Sequence, residues 1–159
     1  MKLTSFCIIF TVFAIWAQYI FPSMDFFSPG LVVMLQFGLF KPALWAGLVW
    51  MFIQEGTGGL AFGTMILFYL GFVIFFSIGG IFLEVGNILF TMLLFLFLTI
   101  FQALVVSVMA SLQGLVLSGQ YSIKGFLIQA GMYFLVWFIT YNLFRKYYIN
   151  EPAKGRQYI

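Results

Sequence analysis

The chain has 159 residues, of which 64% are hydrophobic, 22% aromatic and 7% charged, against about 25% charged in an ordinary soluble domain. Four scattered carboxylates, no histidine and a single cysteine, Cys7, exclude a Cys/His metal centre, an intramolecular disulfide and a nucleophile–histidine pair. The net charge of +3 comes mostly from residues near the ends, Lys2, Arg145, Lys146, Lys154 and Arg156, which suits a cytoplasmic membrane face and not a nucleic-acid footprint.

Uncharged apolar runs recur from end to end, and each run of about 18 residues or more can cross a hydrocarbon core of about 30 Å. The fold expected is an all-α integral membrane protein, a bundle of about six transmembrane helices forming a single domain over residues 1–159. The first helix, 3–21, is too long for a signal peptide and lacks a small-x-small cleavage site after it. It ends at "PSMDFFSPG", a loop with two prolines, a glycine and Asp25.

The next stretch, 31–54, has Lys41 and Pro42 at its middle. Lysine at a bilayer centre costs several kcal/mol, and proline removes a helix hydrogen bond. Two short segments, about 30–40 and 43–54, turning at Lys41-Pro42 are therefore expected; one kinked helix, with five crossings in total, is the alternative. Segment four covers about 61–82, segment five about 88–117 and segment six about 126–144, followed by a tail holding four of the seven basic residues. Six crossings place Lys2, Lys41 and the tail on one side and Asp25, Glu55 and Lys124 on the other, as the positive-inside rule favours. Both termini are then cytoplasmic.

Between segments three and four lies "FIQEGTGGLAFG" (52–63). A carboxylate at a membrane boundary is costly unless wetted, paired or protonated, and Gly58, Gly59 and Gly63 permit tight turns. The stretch reads as a return turn in which Glu55 meets either a partner's basic group or backbone N–H groups of its own turn. Small residues at four-residue spacing, Ala43 with Gly47, and Ala103 with Ser107, Ser111 and, on an adjoining row, Gly114, allow close helix–helix approach. Gln36, Gln54, Gln102, Gln113, Gln129 and Asn142 are expected to bridge helices. Trp16, Trp45 and Trp50 fit in part as interfacial anchors, whereas Trp137 falls inside segment six. The chain carries no phosphate loop and no close carboxylate pair, so no enzyme, metal or cofactor is expected.

The order Pro22, Asp25 and Pro29, then Pro42, Gly47, Phe52, Glu55 and Gly63, with the Arg145-Lys146 tail, resembles MreD, the small multi-spanning protein of the bacterial rod-shape system. The resemblance covers residues 22–67 in detail and the remainder in composition. It departs from the family in having glutamate at 55 where aspartate is usual, and "QFGLFKP" where an aromatic-rich turn is common. It implies a non-enzymatic scaffold in the bacterial cytoplasmic (inner) membrane, with Pro29, Pro42, Gly47, Glu55, Gly58, Gly59 and Gly63 forming a structural turn or docking surface. The partners implied are an MreC-like protein, RodA and a class B transpeptidase, linked to cytoplasmic MreB filaments. A second reading is a substrate-binding S-component of a vitamin or small-molecule importer, a class that the family is thought to share its fold with; its outer polar residues would be Asp25, Glu55, Gln120, Tyr121 and Lys124.

Overall fold

The computed structural model describes residues 3–21, 24–57, 63–115 and 123–149, which contain helices and no strand. Six α-helices follow in order: α1 (Leu3–Ile20), α2 (Ser28–Gln36), α3 (Phe40–Thr57), α4 (Thr64–Phe82), α5 (Ile88–Leu112) and α6 (Ile123–Phe144), with a π-helical turn at Arg145–Ile149. Four stretches are long and apolar enough to cross a membrane: α1, α4, α5 and Lys124–Tyr147. The expectation of six crossings is corrected accordingly. With nine residues, α2 extends only about 14 Å at 1.5 Å per residue, and α3, although 18 residues long, carries Lys41, Gln54 and Glu55.

Residues 31–54 form two helices and not one, but the break lies ahead of Lys41-Pro42. Gly38 has φ +72° and follows the C-cap residue Phe37; its N–H bonds to Leu35 O and that of Leu39 to Met34 O, the Schellman arrangement that ends helices at glycine. Pro42 then falls in the first turn of α3, where an N–H would have had no partner inside the helix. The same arrangement ends α5: Gly114, at φ +66°, bonds to Ser111 O while Leu115 bonds to Ala110 O. Gly114 is thus a helix stop and not a continuation of the packing row, and α5 finishes five residues earlier than the apolar pattern suggests.

The short α2 sits inside the bundle. Residues 28–34 are all buried, Gly30 lies against the Phe10 ring of α1 and Gly47 of α3 against Leu31, and Phe37 stacks on Tyr141 of α6 with centroids 5.2 Å apart. The core around it is aromatic: Trp50 meets Phe10 and Phe27, Phe144 meets Phe6 and Phe37, and Phe95 meets Tyr133 and Trp137. Outer faces of α1, α3, α4, α5 and α6 remain apolar and exposed, as at Ile9, Leu48, Ile74, Leu93 and Leu135.

Glycine also sets the approach of α4 to α5. A Cβ at Gly79 would stand 2.7 Å from Cε2 of Phe90, so the ring must move. Gly79→Ala is expected to destabilise the chain by about 1 kcal/mol, the low end for over-packing because a single ring edge has to give. Thermal unfolding in detergent checks this, and Phe90→Leu in the same chain should recover the loss.

Candidate functional site

Two carboxylates organise the polar interior, both toward the end of the bundle where α3 finishes. Asp25 precedes α2 and is 4% exposed. Its Oδ1 accepts from Phe27 N at 2.8 Å and Ser28 N at 3.4 Å, an Asx turn that leads the chain into the helix. The same oxygen accepts from Gln54 Nε2 of α3 at 2.6 Å. Oδ2 accepts from Ser28 Oγ and, at 3.1 Å, from Tyr133 Oη of α6. Asp25 therefore ties α2, α3 and α6 together 108 residues apart in sequence.

The network continues outward. Tyr133 Oη also approaches Gln102 Oε1 of α5 at 2.7 Å, so one hydroxyl proton has two acceptors, and Gln129 Nε2 donates to Gln102 Oε1 and to Tyr133 Oη. Gln102 and Gln129 are half-buried, and Lys124, five residues before Gln129, is exposed. Tyr69 of α4 is 7% exposed, and its hydroxyl meets no hydrogen-bond partner among the described residues. No ion pair is formed with Asp25 among the described residues.

Glu55 works locally. Its Oε1 accepts from Gly63 N and its Oε2 from Met65 N at 2.8 Å, so the last turn of α3 caps the start of α4. Those first N–H groups have no partner within their own helix, and a carboxylate there also meets the positive end of the helix dipole. Gly63 takes φ +109° as the N-cap residue, a backbone conformation costly for other residues. Of the two roles left open by the sequence, these hydrogen bonds belong to the second. Glu55→Ala is expected to cost about 1–2 kcal/mol, as loss of a helix cap does, with the loss of hydrogen-exchange protection confined to the first turn of α4. Glu55→Asp, one methylene shorter, should recover part of it.

The other sequence candidates distribute as follows. Pro29 occupies the first turn of α2, buried; Pro42 the first turn of α3; Gly47 the buried contact with α2. Gly58 and Gly59, like Pro22, Gln120, Tyr121 and the tail beyond Ile149, lie outside the described residues. Ala103 is half-buried while Ser107 and Ser111 face outward, and Ser111 Oγ bonds back to Val108 O. Of the six amides, Gln36, Gln54, Gln102 and Gln129 bridge helices, whereas Gln113 and Asn142 bond to carbonyls of their own helices.

Trp137, which has no interfacial role inside α6, donates from Nε1 to Gln36 Oε1 at 2.8 Å. Asp25 is the functional candidate that sequence reasoning left in an outer loop. Its signal was present in "DFFSP", an aspartate three residues ahead of Ser-Pro at a helix start. Comparison of the chain with protein-family models, with curated proteins and with solved structures finds no match.

Proposed function

We propose that the chain is a non-enzymatic scaffold subunit of a bacterial cytoplasmic membrane, of the MreD kind. The observation that carries this reading is the continuity of the residues bearing the resemblance. Pro29 opens α2, Gly47 packs α3 against α2, Pro42 opens α3, and Glu55 reaches Gly63 at the head of α4. Spacing that looked like a family pattern thus corresponds to one three-helix unit. Four helices able to cross a membrane and broad apolar outer faces support membrane residence. Since Glu55 is engaged within its own chain, partners of the MreC, RodA and class B transpeptidase type would meet the helix faces and not that carboxylate.

The Asp25 cluster favours a second reading, a solute-binding subunit of the S-component type, because a carboxylate buried inside a bundle of apolar helices, here in the turn before α2, is costly and such groups commonly mark solute or ion sites. Co-purification separates the two. The chain is tagged at its C-terminus, extracted in mild detergent, and its companions are identified by mass spectrometry. Recovery of an MreC-like protein or RodA is expected. Recovery of an ATPase module in their place overturns the scaffold reading. Glu55→Ala should lower partner yield only in proportion to the folded protein lost; a selective loss of partner would return Glu55 to the docking surface.

A further inference from the structure

We infer that the groove between α1 and α6 is a docking site for α4 of a second copy of this chain, so that copies associate head to tail, with Ser77 of one meeting Thr140 of the next. Around α2, α3 packs on α4, α4 on α5 and α5 on α6. The circle is closed by α1, through Phe10 with Trp50 of α3 and Phe6 with Phe144 of α6. That closure is incomplete. Buried contacts of α1 stop at Ala14, and beyond it a groove of about 290 Å³ opens, with Trp16 and Ala17 on one side and Leu135, Ile139 and Thr140 on the other.

Thr140 is the independent observation, a 6% exposed residue that lines this groove. A threonine inside a helix can turn its hydroxyl back to the carbonyl four residues before it, as Thr11, Thr91 and Thr99 do. The Thr140 hydroxyl makes no hydrogen bond among the described residues, and a buried hydroxyl without a partner is costly. A lipid tail in the groove would cover it without satisfying it. A helix bearing a hydroxyl at the same level does both.

Such a helix lies across the bundle from the groove. Ser77 of α4 is exposed and makes no hydrogen bond among the described residues, and Val73, Ile74, Ile78 and Ile81 around it are exposed as well. Its small side chain lets a second backbone approach closely. The levels agree, because α4 and α6 both pack on α5: Phe76 meets Phe90 at 5.5 Å, and Phe95 meets Trp137 at 6.5 Å. Ser77 and Thr140 therefore fall within about one 5.4 Å turn of each other along the bundle axis. Since α4 and α6 run in the same direction, two copies that share a membrane orientation keep this match. The two surfaces stand on opposite sides of the bundle, so the contact is heterologous and propagates as an open row instead of closing a two-fold dimer. The inference goes beyond the scaffold reading and does not depend on it.

The test uses the full chain with Cys7→Ala, reconstituted in vesicles of phosphatidylethanolamine and phosphatidylglycerol. One population carries Ser77→Cys, and a second, differently tagged, carries Ile139→Cys on the groove rim. Mild oxidation of the mixture is expected to yield mixed disulfide dimers well above the proportion that random collision gives. Ala17→Trp in the Ile139→Cys chain fills the groove and should remove that excess. Thr140→Val, which keeps the shape, should weaken association about threefold, the factor for one hydrogen bond of about 0.6 kcal/mol between membrane helices. Random proportions overturn the inference, as does an excess of Ser77→Cys dimers with themselves, which would mean a symmetric contact through α4. An excess that both Ala17→Trp and Thr140→Val leave intact overturns it too. So does a chain that forms no cross-link and retains a bound lipid in native mass spectrometry, which would make the groove a lipid site.

Discussion

Replacing Asp25 by alanine is expected to lower the stability of the chain by about 3–5 kcal/mol, because buried donors left without an acceptor cost about 1–3 kcal/mol each and more than one of these cannot re-aim. The side chain takes five donors from three helices and the turn before them. Alanine removes all the acceptors at once and leaves Gln54 Nε2, Ser28 Oγ and Tyr133 Oη around a void. Ser28 and Tyr133 can re-aim, Tyr133 toward Gln102 Oε1, but the N–H groups of Phe27 and Ser28 cannot. For a chain of this size each kcal/mol corresponds to about 2–4 °C, so the thermal midpoint should fall by roughly 10 °C. Asp25→Asn keeps one oxygen for the backbone donors and turns its NH₂ toward two hydroxyls that can accept; it should lose about half as much. A drop of less than 2 °C for the alanine variant would show that the network contributes little beyond the apolar contacts around it.

Such a role for Asp25 was only half visible in the sequence. The turn it caps is local, with partners two and three residues on, and the Asp-x-x-Ser-Pro order announces it. Gln54 and Tyr133 stand 29 and 108 residues away, and nothing in periodicity or composition pairs them. Glu55 is the opposite case. Its partners, 8 and 10 residues on, lie across a single glycine-rich turn, so the option of backbone N–H groups could be named from the residues alone. The helix break before α3 shows a different limit. Lysine and proline at 41–42 drew the turn to themselves because both are costly inside an apolar helix, yet the stop is set by Gly38, the residue whose backbone can adopt φ +72°. The number of crossings was overestimated for a related reason. Apolarity marks burial by lipid and burial by protein alike, and α2, enclosed by α1, α3 and α6, is apolar through the second.

Gln36 links the opposite end of the bundle, and Gln36→Leu carries the second large expected loss. Its Nε2 donates to Val85 O in the α4–α5 turn and to Thr91 Oγ1 of α5, both at 2.9 Å, while its Oε1 accepts from Trp137 Nε1 of α6 at 2.8 Å. Leucine has about the right bulk, so little transfer free energy is lost and the polar terms decide. Hydrogen bonds between membrane helices are worth about 0.6 kcal/mol on average and up to about 1.7. Three of them, with the indole N–H of a 6% exposed tryptophan left unpaired, give a loss of roughly 2–3 kcal/mol. Thr91 retains its bond to Asn87 O, which keeps the total below that for Asp25. Trp137→Phe removes the indole donor from the other side. In a double-mutant cycle the two substitutions should therefore cost less together than the sum of each alone, by about 1 kcal/mol or more. Simple additivity would mean that Gln36 holds α2 to the α4–α5 turn alone, and that α6 is fixed at this end by the ring contacts of Phe37 with Tyr141 and Phe144.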